Sequence, residues 1–332
     1  MIPVKGIRIT ACLVALVLSC LVVASVTASA HAITKNDPPV VRYSDGSLTL
    51  DGQPYFPIMA LITRCPSSDV INQMVKVGVN TVDGYALSCG TGKGTQEFVD
   101  KLHTALQDRV KWMEHDTSVG YWPTGLPELT KWLAPIQWDT HDGQQLKSCS
   151  DHSAVSVYTG VNNLSKRGPV ILRIPIAVAG GLDGQDVNCL TGARVSALLW
   201  GAVATTKLVG IEYLAQDKGQ DAPLFDVPTS VQAQAPKDAA LLKLILPAME
   251  NGTVVTSQVN VTGGVKVGAW KYNGSTVIVA VNMVDTPASA SFTLPSSLKN
   301  VRVLKETSGV KISGRKFTDH FPGLSKHIYV VQ

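Results

Sequence analysis

The chain lacks most of the short motifs that announce a chemistry. It has no Cys-x-x-Cys pair, so its six cysteines do not read as a zinc site. His141 and His152 stand near Asp142 and Asp151, but at spacings that match no ligand motif. Gly90-Thr91-Gly92-Lys93-Gly94-Thr95 lacks the Gly-x-x-x-x-Gly-Lys-Ser/Thr order that cradles nucleotide phosphates, and reads as a plain loop. No Gly-x-Ser-x-Gly elbow is present to expose a serine nucleophile. No cofactor or metal is therefore expected. Basic residues are scattered, without a run interleaved with aromatics, and the formal charge is only +4, which is no nucleic-acid signature.

What is present reads as a secreted protein. Lys5 and Arg8 precede an apolar run from Ile9 to Val26, and small-residue cleavage patterns follow at Ala28-Ser29-Ala30 and Ala30-His31-Ala32. Residues 1–32 are thus expected to be a signal peptide, with an uncleaved anchor as the alternative, and no membrane span is expected in the mature chain. Loss of Lys5 and Arg8 takes 29 basic residues to 27 against 25 acidic ones, or +2. It also removes Cys12 and Cys20, which leaves Cys65, Cys89, Cys149 and Cys189, an even number suited to two disulfides in an oxidising compartment. Four sequons, at Asn163, Asn251, Asn260 and Asn273, would be glycosylated in a eukaryotic secretory route. With 45% hydrophobic and 16% charged residues, 332 residues can bury one large core and a smaller one.

Asp45 to Tyr85 is the most informative stretch. Ser47 to Leu50 and Pro54 to Ile62 are β-rich runs joined by Asp51-Gly52, a dipeptide that tolerates the positive φ angles of a tight hairpin. A helix is expected from Ser67 or Ser68 as N-cap to about Lys76, with Gly78 as C-cap and Val79 to Tyr85 as a second strand. The order DG, short strand, DGQPYFP, apolar strand, helix, GVNTV resembles the start of the (β/α)8 domain of clan A glycoside hydrolases, the cellulase-like and β-galactosidase-like enzymes. That resemblance implies fold before function.

Further strands are expected at Arg109 to Glu114, Ile136 to Asp139, Val170 to Val178 and Val209 to Leu214, and helices at Thr95 to Gln107, Ser150 to Leu164 and Ala193 to Thr206. The segment ending VGIEYL resembles the last strand of such a barrel. Six strands are clear where eight are expected, so the missing two lie in 123–133 and 180–188 or the barrel is abbreviated. Asp217 to Pro236 reads as a surface crossing before a helix from Lys237 to Glu250. From Thr253 onward short β-rich runs and Asn273-Gly274 predict an antiparallel sandwich of about eight strands, similar to the β-domain that often follows glycosidase barrels. The expected architecture is an α/β chain: a (β/α)8-like barrel over 33–252, complete or abbreviated, and a β-sandwich over 253–332. Four cysteines permit three pairings; in a barrel Cys65 and Cys89 would follow neighbouring strands, which favours that pair and leaves Cys149 with Cys189.

The resemblance implies a carbohydrate ligand and paired carboxyls, one protonated and one ionised. The clan's pattern places Asn-Glu at the end of strand four and Glu at the end of strand seven, yet this sequence contains no Asn-Glu and only six glutamates. Glu212 is the favoured carboxylate, because Val209, Ile211 and Tyr213 alternate with Gly210 and Glu212, which sends Glu212 toward a barrel interior. An internal ion pair with Arg173 is the alternative reading. Asp139 ends the fourth strand, where the resemblance would put the acid; a solvated loop acid is the alternative. Asp83, Tyr85, Glu114, Trp122, Trp138 and His141 complete the expected sugar-contacting set. Five aromatics, Trp112, Tyr121, Trp122, Trp132 and Trp138, gather after strand three, and Trp122 beside Tyr121 and Pro123 is the expected stacking platform. A non-catalytic carbohydrate-binding or surface protein on the same scaffold is the rival of the enzyme.

Overall fold

A computed structural model describes residues 41–44, 47–50, 53–61, 65–83, 101, 104–105, 110–113, 136–139, 159, 162, 170–175, 191–206, 208–214, 216–217, 220–221, 228–306 and 310–332. The expected signal peptide and both candidate regions for missing strands lie outside these residues. So do the expected helices at 95–107 and 150–164, apart from isolated helical positions. Three short strands open the fold as an antiparallel meander, β1 (Val41–Ser44), β2 (Ser47–Leu50) and β3 (Gln53–Pro54). Leu50 pairs with Gln53, as the Asp51-Gly52 hairpin requires, and Ser44 pairs with Ser47 across Asp45-Gly46, the first Asp-Gly of the motif.

Six strands form one parallel sheet: β4 (Ile58–Leu61), β5 (Thr81–Asp83), β6 (Lys111–Met113), β7 (Ile136–Asp139), β8 (Val170–Pro175) and β9 (Leu208–Leu214). Their order is β6-β5-β4-β9-β8-β7, so the last parallel strand borders the first. Between β4 and β5 runs α1 (Ser68–Lys76), capped by the Ser67 hydroxyl, which accepts from the Val70 N–H at 3.4 Å. Its end is a Schellman turn: Val79 N–H donates to the Met74 carbonyl at 2.9 Å and Gly78 N–H to that of Val75 at 3.1 Å. Gly78 sits at φ 87°, and a Cβ there would strike the Ala239 Cβ, so both conformation and packing demand glycine.

Two long helices follow, α2 (Gly192–Ala204) and α3 (Thr229–Asn251). α3 begins eight residues before the expected Lys237. Pro236 reads as a helix breaker in sequence, yet the helix runs through it and through Pro247. Burial of Val231, Ala235, Ala239, Leu242 and Ile245 outweighs the bonds that the prolines cannot donate. A small hairpin, β10 (Gln216–Asp217) with β11 (Gln220–Asp221), occupies part of the expected crossing.

The rest is antiparallel: β12 (Thr253–Val254), β13 (Asn260–Thr262), β14 (Lys266–Tyr272), β15 (Ser275–Val281), β16 (Ala288–Thr293), β17 (Val301–Val303), β18 (Lys311–Ser313), β19 (Lys316–Phe321) and β20 (Lys326–Val331). They make a five-stranded sheet, β12-β14-β15-β20-β17, and a four-stranded sheet, β13-β16-β19-β18. The run VVTSQVNV, read as one strand, is split by a 3-10 turn at Thr256–Gln258 and serves both sheets. Asn273 and Gly274, at φ 46° and 76°, turn β14 into β15 with both central residues left-handed, as a two-residue hairpin demands. Ile278, Ala280, Phe292, Phe317 and Tyr329 fill the core between the two sheets. On its other face the five-stranded sheet sends Trp270, Val277, Val279, Val281 and Ile328 into the core that holds α1, α2, α3 and one face of the parallel sheet. Both faces of β15 are therefore covered, which is why it reads as an unbroken apolar run.

One polar cluster fastens these layers. The Asp238 carboxylate on α3, wholly buried, accepts from Trp200 Nε1 at 2.7 Å, Ser196 Oγ at 3.0 Å, Gln234 Nε2 at 3.0 Å and Lys326 Nζ at 2.6 Å. α2, α3 and β20 thus meet at one oxygen. Pro39–Gln332 forms one compact unit, and the expected 252/253 boundary falls where α3 gives way to antiparallel strands. Among the described residues no helix is long and apolar enough to cross a membrane.

Candidate functional site

The parallel sheet has two unlike faces. Ile58, Ala60, Val82, Leu172, Ile174, Ile211 and Tyr213 join the core with the helices. Met59, Thr81 and Glu212 are also buried, but they alternate with those residues and so occupy the opposite face. Register carries that face across the sheet as one row: Lys111, Thr81, Met59, Glu212, Arg173 and Asp139, on β6, β5, β4, β9, β8 and β7 in turn. Glu212 is 0% exposed. One level nearer the C-terminal strand ends stand Asp83, Leu61, Leu214 and Pro175.

A β-bulge sets the phase of the row. Val170 pairs with Leu208 but Ile171 pairs with Gly210, so Val209 is an extra residue on β9. Leu208 thereby joins Ile211 and Tyr213 in the helix-side core while Glu212 falls in step with Arg173. The strict alternation expected from Val209 onward is shifted by this insertion, though Glu212 emerges on the expected face. Gly210 also permits β9 to approach the strand-opening loop: a Cβ there would lie 2.7 Å from Pro57 Cγ, and Ile211 N–H donates to the Pro57 carbonyl at 2.9 Å.

Asn80, in the GVNTV motif, anchors the other end of β4 and β5. Its Oδ1 accepts from the Ile58 N–H at 2.8 Å and from Thr81 Oγ1 at 2.7 Å, and its Nδ2 donates to the Phe56 carbonyl at 3.0 Å. The Tyr55 hydroxyl is hydrogen-bonded to Thr81 Oγ1. Burial pushes the Tyr55 hydroxyl up to about 12, against the opposing effect of the Thr81 bond. The PYFP and GVNTV motifs are thus a mutual clamp that holds two neighbouring strands at their N-terminal ends.

Of the expected acids, Glu212 and Asp139 fall in the same row, separated by Arg173, and Asp83 stands at the end of β5. Asp139 is fourth in chain order among the parallel strands, but in space β7 borders β8 and lies three strands from β4. Trp138, on the same strand, pairs in register with Leu172, which in turn pairs with Ile211. Tyr85, Glu114, Trp122 and His141 lie outside the described residues. Cys65 is disulfide-bonded, and Cys89, Cys149 and Cys189 fall outside them, as do the two expected pairings. Among the described residues no three His, Cys, Asp or Glu side chains are grouped to hold a metal ion. Arg173 entered the sequence reading only as an ion-pair partner of Glu212. Its membership of a row with both acids depends on strand order, although a lone arginine in the apolar VILRIP strand was a visible signal.

No protein-family model matches the chain, and no curated protein matches it. Its fold is similar to those of solved glycoside hydrolases. A family 5 glycoside hydrolase from Bacteroides vulgatus aligns with 89% of this chain and 95% of its own at a TM-score of 0.56 and 13% identity. Another structure described as a glycoside hydrolase aligns with 88% of this chain and 96% of its own, at 0.55 and 12%. At such identities the likeness is one of fold.

Proposed function

We propose that the protein is a secreted glycoside hydrolase-like protein, a (β/α)8-like barrel followed by a β-sandwich, that acts on a carbohydrate by carboxylate chemistry. The observation that carries this reading is the row in which Glu212, buried on the face away from the helices, is in register through Arg173 with Asp139. Barrel enzymes keep their chemistry at the C-terminal strand ends, and Asp139 is the last residue of its strand while Glu212 is two residues from the end of its own. Two strand spacings separate the two backbones by about 9.6 Å. In this reading Asp139 donates a proton to the leaving oxygen and Glu212 is the second carboxylate. Asp83 contacts a sugar hydroxyl, with Tyr85, Glu114, Trp122 and His141 as further contacts. Cys65 pairs with Cys89 and Cys149 with Cys189.

The absence of Asn-Glu, together with the complete burial of Glu212, favours a second reading, a carbohydrate-binding protein without catalysis. Reducing-sugar release from a polysaccharide panel by residues 33–332, beside Glu212→Gln and Asp139→Asn, separates the two. Release abolished by both substitutions in folded protein supports the enzyme. Release that survives them discards this pair. Retention on a glycan without release supports the binding protein.

A further inference from the structure

Charge is divided unevenly along this chain. Nine of its 29 basic residues but only three of its 25 acidic ones follow Gly252, so that of a total of +4 the antiparallel half carries +6 and the remainder −2. Six of the nine fall between Lys299 and Lys316, where Glu306 is the one acid. The fold brings these six to one margin. Lys299, Arg302 and Lys305 lie on or beside β17, the edge of the five-stranded sheet, while Lys311, Arg315 and Lys316 lie on β18, the edge of the four-stranded sheet, and its hairpin to β19. Val301, Val303 and Val310 enter the same core between the sheets. Leu298 N–H donates to the Gly314 carbonyl at 2.9 Å and Leu294 N–H to that of Arg315 at 3.0 Å, so the two edges flank the same side of the sandwich. Sheets packed face to face are about 10 Å apart, which sets the width of the margin.

All six residues are exposed. The ion pairs among the described residues of this half join Arg194 to Asp285, Lys326 to Asp238, and His327 to Asp319 and Glu306, and use none of the six. Asp319 on β19 is turned inward, where its carboxylate accepts from the Tyr329 hydroxyl at 2.8 Å and is bonded to His327 Nδ1 at 2.7 Å. On the outer face Lys311 is in register with Thr318 and Ser291, whose hydroxyls are bonded to each other at 2.9 Å. Lysine on an edge strand also hinders edge-to-edge pairing. That alone does not account for the placement, because the opposite edges, β12 and β13, carry no charge. We propose that this margin binds an acidic polysaccharide, one that bears carboxylates or sulfates. Ammonium and guanidinium groups from two edges neutralise successive anions of an extended polymer, and release of its counterions drives the association. No aromatic residue lies between Lys299 and Lys316 to stack on a nucleic-acid base. Ile312 is the one exposed large apolar residue there, too little to enter a membrane surface. The choice of a sugar polymer rests on the carbohydrate reading above, although the margin shares no strand with the Glu212 row.

The test measures Kd for polygalacturonate, dextran sulfate, neutral dextran, duplex DNA and vesicles of phosphatidylglycerol with phosphatidylcholine, at about 50 and about 200 mM salt. The two acidic glycans separate carboxylate from sulfate, and dextran removes the charge. Wild type is compared with the triple variant Arg302→Gln, Lys311→Gln, Lys316→Gln. A second triple, Lys237→Gln, Lys243→Gln, Lys271→Gln, removes as many exposed cations away from the margin. Wild type is expected to bind at least one acidic glycan but not dextran, and to bind about tenfold or more weakly at the higher salt. The margin variant should lose about tenfold or more in affinity with its melting temperature kept, and the second triple less than about threefold. Equal losses in the two triples are what net charge alone would give, and overturn the inference. Failure to bind either acidic glycan overturns it, as does tighter binding of DNA or of the vesicles. Failure here beside sugar release from a neutral polysaccharide leaves the proposed function standing. Affinity for an acidic glycan without release from any polysaccharide discards the catalytic reading and keeps the margin.

Discussion

Replacing Asp238 with alanine should be among the most damaging single changes in the described fold, and the geometry allows its size to be worked out. Asp238 is 2% exposed and Trp200 0%. One carboxylate oxygen receives four donors, including the Lys326 ammonium at 2.6 Å. Truncation strands that ammonium, whose side chain is 14% exposed, and the buried Trp200 N–H. Lys326 keeps Ser196 Oγ at 2.9 Å and a distant place over the Trp200 ring, neither of which neutralises it. Breaking a buried ion pair by removing one partner costs about 3–5 kcal/mol. For a chain of this size that is about 6–12 °C in Tm. Asp238→Asn, which can still accept from Trp200, should lose roughly half as much. Exchange of both partners, Asp238→Leu with Lys326→Met, should cost less than the alanine variant alone, since neither leaves a buried charge.

The assay is a double-mutant cycle by urea and thermal unfolding of wild type, Asp238→Ala, Lys326→Met and the pair. A coupling energy above about 2 kcal/mol is expected for charges this close and this buried. Additive losses, or an alanine variant within about 1 kcal/mol of wild type, would refute the reasoning. The cluster draws on α2, α3 and β20, so wild type should also melt in one transition seen alike by far- and near-ultraviolet circular dichroism. Two resolved transitions would mean that the shared core does not couple the parallel and antiparallel layers.

Other outcomes follow from the same packing. Asn80→Ala leaves the Ile58 N–H and the Phe56 carbonyl without their side-chain partner, and should lower the urea-derived stability by about 2–3 kcal/mol; a near-neutral result would show the clamp to be idle. Gly210→Ala places a methyl against Pro57 and should destabilise by about 1–3 kcal/mol, whereas Gly274→Ala meets open space and suffers only its left-handed φ of 76°, at about 1 kcal/mol. Alkali should unfold the protein through its tyrosines. Tyr55 is pushed up from 10.0 to about 12 by burial, so the native state keeps a proton that the unfolded chain loses. Its contribution is whole below pH 10, falls as the pH rises from about 10 to about 12, and amounts to about 2–3 kcal/mol. Burial also raises Tyr213, aided by Asp238, and raises Tyr329, aided by the Asp319 carboxylate that accepts its hydrogen bond at 2.8 Å. Phenolate absorbance should therefore rise together with unfolding for these residues; a full tyrosine titration near pH 10 in folded protein would contradict their burial.

How far the sequence could be read depended on whether the deciding interaction was local. The Asn273-Gly274 turn, the Ser67 cap and the Gly78 terminus are written in a few adjacent residues, and each forms as expected, as does the pairing of Leu50 with Gln53 on either side of Asp51-Gly52. Ile136–Asp139 coincides with its expectation, because a short β-rich run leaves little choice of ends. Where packing decides, the reading failed. Pro236 looked like the end of a surface crossing, but the apolar stripe through Val231, Ala235 and Ala239 carries the helix past it. The strand at Thr253 looked continuous and divides between two sheets at the 3-10 turn of Thr256–Gln258, where Val255 and Val259 are buried in the core between them.

The candidate chemistry shows the same division at its sharpest. The phase of Glu212 was legible from alternation, but the bulge at Val209 that brings it into step with Arg173 left no mark in the sequence. Strand order, which no local pattern encodes, then sets Asp139 two strands from Glu212 with an arginine between. Which residues share a row is thus decided by strand order and by the bulge, neither of which a local pattern in the chain records.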